Sequence, residues 1–134
     1  MRGACNGFGR IGRAVFRIAD EIPEIEIVAI NDLFDHEALR YLLQYDTVMG
    51  GFGSGVSLES DEMVTKNSRV KMLKERDPKQ LPWKELEVDV VIESTGVFRA
   101  RDEVAMHLAA GAKRALLTVP SKDALDYTVV LGGK

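Results

Sequence analysis

The chain has 134 residues, enough for one domain with a proper core, and its 46% apolar and 29% charged content is that of a soluble globular protein. A net charge of −3 with interspersed signs gives no reason to expect nucleic acid or an anionic membrane as partner. The lone Cys5 excludes an internal disulfide and fits a reducing compartment. No apolar run nears the ~20 residues that cross a bilayer, Met1–Cys5 lacks a signal-peptide core, and the cytoplasm is the expected location.

A short apolar segment, Gly3-Ala4-Cys5, reads as the end of a strand and leads into Asn6-Gly7-Phe8-Gly9-Arg10-Ile11-Gly12, a G-x-G-x-x-G pattern. A helix is predicted from Arg10 to Ile22, with Ile11, Val15, Ile18 and Ala19 on one face and Pro23 stopping it. The β-branched run from Ile25 to Ile30 is the second strand and ends in Asn31-Asp32, with Asp32 twenty residues past Gly12. Strand, glycine turn, helix, strand and acid in this order describe a dinucleotide-binding unit. Gly7 suits a sharp turn, Gly9 lets the main chain approach a pyrophosphate, and Gly12 lets the helix pack close to the sheet. The N–H groups of Phe8 to Gly12 lack intrahelical partners, and the helix dipole adds positive potential where phosphates would rest. Asp32 can accept hydrogen bonds from both hydroxyls of an adenosine ribose. It would repel a 2′-phosphate, and apolar Leu33 offers that phosphate nothing, so NAD is favoured over NADP.

Further along, Asp35 is the expected N-cap of a helix from Glu37 to Tyr45 whose buried stripe is Leu39, Leu42 and Leu43. His36 reads as a surface histidine, with no metal-ligand spacing around it. A glycine-rich turn at 50–55 precedes strands at Val56–Glu59, Met63–Thr65 and Val70–Leu73, an antiparallel excursion from a mainly parallel sheet, with Asn67 in a turn. Arg69, Lys71, Lys74 and Arg76 read as a solvated face. A short helix is expected near Trp83–Leu86. Val88–Glu93 is a near-continuous apolar strand ending in the small residues Ser94-Thr95-Gly96, where ligands of open α/β sheets sit. A helix from Ala100 to Ala110 ends at Gly111 and carries His107 on its surface. Strands at Ala115–Val119 and Tyr127–Leu131 follow, joined by a loop opening with Pro120-Ser121-Lys122.

Six blocks, Asn6–Arg13, Ala29–Leu33, Tyr41–Asp46, Glu75–Pro78, Val91–Phe98 and Ala110–Lys113, closely resemble in their order the NAD-binding domain of phosphorylating glyceraldehyde-3-phosphate dehydrogenase of the bacterial NAD type. The resemblance covers essentially the whole chain. It implies a Rossmann-type α/β fold, doubly wound, in a single domain over 1–134. It implies that Arg10 and Ile11 offer backbone N–H groups to the pyrophosphate and that Asp32 holds the adenosine ribose. Arg76 would meet the adenine through its main chain, Leu33 and Phe98 would flank the ring, and Thr95-Gly96 would line the path to the nicotinamide. Thr118 stands where the family usually has a Ser near the nicotinamide ribose.

In the family a Cys thiolate adds to the aldehyde, a His takes the proton, hydride passes to the nicotinamide, and phosphate releases the acyl group. The family's Ser-Cys-Thr-Thr-Asn block would follow residue 134, and neither it nor the catalytic His is among these residues. The expectation is thus a cofactor-binding half truncated before the nucleophile, with the catalytic domain absent and no turnover of its own. Its partners would be NAD and its own catalytic domain within a homotetramer, and alone it would self-associate through uncovered apolar surface. Cys5, in the first strand, reads as a small buried side chain. The alternatives are a stand-alone dinucleotide-binding or interaction module, and the same domain from an erythrose-4-phosphate dehydrogenase.

Overall fold

A computed structural model of the chain describes residues 1–45, 55–97 and 101–118, and the backbone of 129–132. Phe98, residues 50–54 of the glycine-rich turn and the loop at 120–122 lie outside the described residues.

The strands are β1 (Arg2–Asn6), β2 (Glu26–Asn31), β3 (Ser57–Glu59), β4 (Glu62–Val64), β5 (Arg69–Leu73), β6 (Val90–Glu93), β7 (Arg114–Leu117) and β8 (Val129–Gly132). They form one sheet in the order β3-β4-β5-β2-β1-β6-β7-β8. The five strands from β5 to β7 are mutually parallel. The expected antiparallel excursion is there, as β4 runs against both β3 and β5. A second antiparallel pairing, β8 against β7, closes the other edge. The chain builds outward from β1 through β2 to β5, then returns to the opposite side of β1 with β6 and β7. That reversal opens a crevice between β1 and β6 at their carboxyl ends.

Both faces of the sheet are covered, so central strands carry apolar residues on both sides. In β1, Ala4 packs into one cluster with Trp83, Val88 and Val91, while Cys5 packs into the other with Phe8, Phe16, Leu39 and Leu43. Burial pushes the Cys5 thiol up to about 12, so it is a small core residue, as expected. Gly3 fits because β1 slips register against β2 there, and a Cβ would press on Ile27 Cδ1 at 3.2 Å.

The helices depart from expectation in instructive ways. Helix α1 (Arg10–Asp20) buries Gly12, Phe16, Ala19 and Asp20, whereas Ile11 and Ile18 are 41% and 59% exposed. The stripe has the expected spacing, rotated by one residue. Close helix–sheet contact at Gly12 and the bulk of Phe16 set the phase. Val15, Ile18 and Ile22 instead wall an open apolar groove of about 250 Å³ with Ile25, Val90 and Ile92. In α2 (His36–Tyr45) the Ala38 N–H donates to Asp35 Oδ2 at 3.0 Å, the expected cap. Leu39 and Leu43 are buried there, but Leu42 is 38% exposed.

Trp83–Glu87 is a run of turns rather than a helix. The helix expected over 100–110 is two short pieces, α3 (Arg101–Val104) and α4 (Met106–Ala109), ending at Gly111 with φ +114°. His107 is completely buried, not on the surface: the indole of Trp83 and the carboxylate of Glu93 claim both ring nitrogens. His36 is half-buried, its Nε2 donating to the Leu73 carbonyl at 3.1 Å. Among the described residues no helix is long and apolar enough to cross a membrane, and no three His, Cys, Asp or Glu side chains could share a metal.

Candidate functional site

A cleft of about 460 Å³ opens where β1, β2 and β6 end. Asn6, Gly7, Gly9, Asp32, Leu33, Arg76 and Thr95 line it, as does Ser94 of the small-residue strand end, together with Asn31, Glu75 and Val97, to which sequence reasoning gave no ligand role; Ser94 was placed at the ligand end without a role of its own. Asn31, Glu75 and Val97 each flank a residue that sequence reasoning had singled out, at a strand end or the turn beyond, so position alone could have nominated them.

The glycine turn is held by contacts a side chain would disrupt. Gly7 sits at φ +98°, and a Cβ there would come within 2.9 Å of Thr95 N and Cγ2. A Cβ on Gly12 would collide with the Gly7 carbonyl oxygen, which also accepts from Ser94 Oγ at 2.9 Å. Gly9 is different. It has ordinary backbone angles (φ −78°), and among the described residues nothing lies within 4 Å of where its Cβ would be. No packing among the described residues demands a glycine at that position. A group lying against the main chain from the cleft side would.

Gly9 is also the N-cap of α1, without a side-chain capping bond and with no acidic residue in the first turn. The amides of Arg10, Ile11 and Gly12 therefore begin the helix without intrahelical acceptors, at the positive end of its dipole. The Phe8 amide does not belong to this set. It donates to Asp32 Oδ2 at 2.7 Å, and the Phe8 ring is buried edge-on against Phe16 with centroids 5.9 Å apart. Asp32 accepts the Phe34 N–H on its other oxygen at 2.8 Å. Each oxygen keeps a further lone pair, so the carboxylate is braced at the rim and still able to accept.

Asn6 lines the cleft floor, but its side chain faces protein: Nδ2 donates to Glu93 Oε1 and Oδ1 accepts from Asn31 Nδ2, both at 2.7 Å. The Thr95 hydroxyl is likewise engaged, donating to Glu93 Oε2 at 2.5 Å and accepting the Val97 N–H at 3.1 Å. Gly96 continues the turn at φ +78°. Thr118 lies past the end of β7, its N–H and hydroxyl both donating to the Glu93 carbonyl at 3.2 Å, and is not in the cleft wall. Arg10, Ile11, Phe8, Gly12 and Gly96 stand beside the cleft rather than in its wall.

A slightly larger cleft, about 530 Å³, lies at the other end of α1 beside Asp20, Asn67 and Ser68. It faces the amino ends of the parallel strands, and its polar groups already satisfy one another. Ser68 Oγ and Thr65 Oγ1 donate to the Asp20 carboxylate, and Asn67 Nδ2 to its carbonyl. The cleft at the carboxyl ends, with free amides and an available carboxylate, is the one suited to a phosphorylated ligand.

Comparison with known proteins agrees with that geometry. Residues 1–101 match the family described as the glyceraldehyde 3-phosphate dehydrogenase, NAD binding domain. The chain belongs to this family. The glyceraldehyde-3-phosphate dehydrogenase of Thermotoga maritima is 50% identical over 133 residues, covering 98% of this chain and 40% of that relative. Glyceraldehyde-3-phosphate dehydrogenase 2 of Bacillus subtilis is 46% identical over 96% of this chain and 38% of its own length. The Geobacillus stearothermophilus enzyme is 47% identical over 95% and 38%. The chain thus spans about two fifths of the length of these relatives. The family is an oxidoreductase family, the matched part is its NAD-binding part, and the Rossmann-type fold that the resemblance implied is the one observed.

Proposed function

We propose that residues 1–134 act as one cofactor-binding unit that holds NAD in the cleft at the ends of β1, β2 and β6. In the whole protein this unit would serve the phosphorylating oxidation of glyceraldehyde 3-phosphate in a cytoplasmic homotetramer. The observation that carries the reading is that Gly9, with no described atom near its Cβ position, and Asp32 line the same cleft. The diphosphate rests against Gly9 and the amides of Arg10, Ile11 and Gly12. Asp32 takes the adenosine ribose hydroxyls, and Leu33 with the main chain at Arg76 borders the adenine. Phe98 is proposed on the adenine's other side. Thr95 and Gly96 border the nicotinamide half through main chain and methyl group, because the Thr95 hydroxyl is engaged. Thr118 would contact the nicotinamide ribose only by exchanging its bond to the Glu93 carbonyl for one to the ligand.

The bound dinucleotide supplies the hydride acceptor, and these residues supply its orientation. Covalent catalysis needs a thiolate, and Cys5 is completely buried with its thiol raised to about 12, so residues 1–134 alone should not turn over. The relatives named above all act on glyceraldehyde 3-phosphate by name, which supports that reading over erythrose 4-phosphate and over a stand-alone module.

Titration calorimetry of the chain and of Asp32→Ala with NAD, NADP and ADP-ribose tests the proposal. Losing bonds to a charged acceptor, roughly 1.5–3 kcal/mol each, should weaken NAD by about tenfold or more and narrow its advantage over NADP. Absence of NAD binding at millimolar concentration would remove the proposal, as would an Asp32→Ala chain that binds as tightly as the parent.

A further inference from the structure

The cleft floor rests on a buried polar chain that neither the glycine turn nor the ribose acid explains. Glu93 is completely buried, and among the described residues no Lys or Arg pairs with it. Four donors reach it instead. Asn6 Nδ2 and His107 Nε2 donate to Oε1, each at 2.7 Å, and the Thr95 N–H and hydroxyl donate to Oε2 at 3.1 and 2.5 Å. A carboxylate has about four lone-pair sites, and all four are filled by donors.

The tautomer of His107 follows from its other neighbour. Trp83 Nε1 sits 3.0 Å from His107 Nδ1, and an indole N–H can only donate. Nδ1 is therefore the acceptor, and the single ring proton lies on Nε2, aimed at Glu93. From Glu93 the chain continues through Asn6 to Asn31, whose side chain accepts the Glu75 N–H at 2.7 Å and donates to the Glu75 carbonyl at 2.9 Å. Asn6, Asn31, Glu75 and Thr95 all line the cleft. One buried network thus ties the ends of β1, β2 and β6 and the segment after β5 beneath the ligand.

We infer that Glu93 and His107 are positioning residues for the nicotinamide half of the site. Glu93 fixes the turn from Ser94 to Val97 by holding Thr95 at two points, and His107 fixes the Glu93 carboxylate. This rests on the proposed NAD site, and it assigns work to two residues that touch no ligand themselves. The adenosine half rests chiefly on Asp32, Leu33 and Arg76, which follow β2 and β5 rather than β6, so it depends on the Thr95 turn only through Phe98.

The test uses Glu93→Gln, His107→Gln and His107→Leu in the full chain, with calorimetric affinities for NAD and for 5′-AMP and circular dichroism to follow folding. In Glu93→Gln the amide N–H groups fall on the Thr95 side, because Asn31 and Trp83 fix Asn6 and His107 as donors whereas the Thr95 hydroxyl can turn to accept; the Thr95 N–H then loses its acceptor and the turn is loosened. NAD should weaken roughly tenfold or more while 5′-AMP stays within about threefold. A glutamine at 107 can still donate to Glu93 and accept from Trp83, whereas leucine can do neither. His107→Gln should therefore retain NAD affinity that His107→Leu loses. Equal losses for NAD and 5′-AMP in folded variants, or unchanged NAD affinity in Glu93→Gln and His107→Leu, would overturn the inference. Should Glu93→Gln fail to fold, the glutamine–leucine contrast at 107 decides, with equal NAD affinity refuting it. A parent chain that binds neither nucleotide would instead remove the NAD reading itself.

Discussion

Gly9→Ala separates folding from binding more cleanly than any other single change in the cleft. The φ of −78° and ψ of −157° are open to alanine, and no atom of the described residues lies within 4 Å of the added methyl. Alanine is a poorer N-cap than glycine by some tenths of a kcal/mol, while its stiffer unfolded chain returns about 0.4–1 kcal/mol. The two effects nearly cancel, leaving stability within about 1 kcal/mol of the parent. At about 2.1 cal/mol/K per residue, 134 residues convert that to a melting shift under about 4 °C. The ligand meets a different situation. A methyl group at Gly9 stands between the main chain and the diphosphate, lengthening the bonds from the helix amides. Losing even one such bond to a charged group, roughly 1.5–3 kcal/mol, weakens binding about tenfold to a hundredfold.

Gly12→Ala is the control with the opposite signature. Its Cβ meets the Gly7 carbonyl, which Ser94 Oγ pins in place, so overpacking should cost about 1–3 kcal/mol and lower the melting point by roughly 4–11 °C. Scanning calorimetry gives the first quantity and titration calorimetry the second. A Gly9→Ala chain with parental NAD affinity would refute the placement of the diphosphate. One that melts as low as Gly12→Ala would refute the claim that this glycine faces open space.

Two further outcomes are expected. Cys5 should resist an aromatic disulfide reagent at neutral pH in the native chain and release one equivalent of thiol per chain in denaturant; rapid native reaction would contradict its burial. Asp89 is held below its ordinary range first by the Arg2 N–H at 2.9 Å and then by the Lys113 ammonium at 3.2 Å. A depressed carboxylate adds stability above its unfolded value of about 3.8, and that stability is lost as pH falls through the lower folded value. Asp89→Asn should therefore flatten the acid-side fall of the urea midpoint below about pH 4, and an unchanged profile would show that the contact contributes nothing.

The parts of the site legible in the sequence are those whose chemistry is local. Gly7, Gly9 and Gly12 act through the backbone within one turn, and Asp32 ends an apolar strand, so spacing finds them. What spacing could not supply was the identity of partners distant in sequence. The Phe8 amide looked free because its acceptor, Asp32, is 24 residues away. His107 looked solvated because Trp83 and Glu93 meet it only once α4 packs beside β6. In α1 the period was legible and the phase was not. Both the stripe through Ile11, Val15, Ile18 and Ala19 and that through Gly12, Phe16, Ala19 and Asp20 have helical spacing. Only the sheet decides between them, by demanding a glycine at its closest approach. It also gives buried Asp20 partners in Thr65 and Ser68, strands away in sequence.

The loops around the cleft are joined by side chains as well as by backbone bonds that extend the strand pairing, and this bears on how the site is built. Asp32 takes the Phe8 amide, Ser94 takes the Gly7 carbonyl, and Glu93 takes Thr95. The first two bonds link the glycine turn to the end of β2 and to the turn after β6, and the third ties that turn to the end of β6 itself, so the cleft keeps its width because its walls are tied together. An arrangement of this kind reduces the ordering a ligand must impose on arrival. It also makes the turn after β6 sensitive to a residue outside the cleft wall, so a change at Glu93 should be felt at Thr95 although Glu93 does not line the cleft.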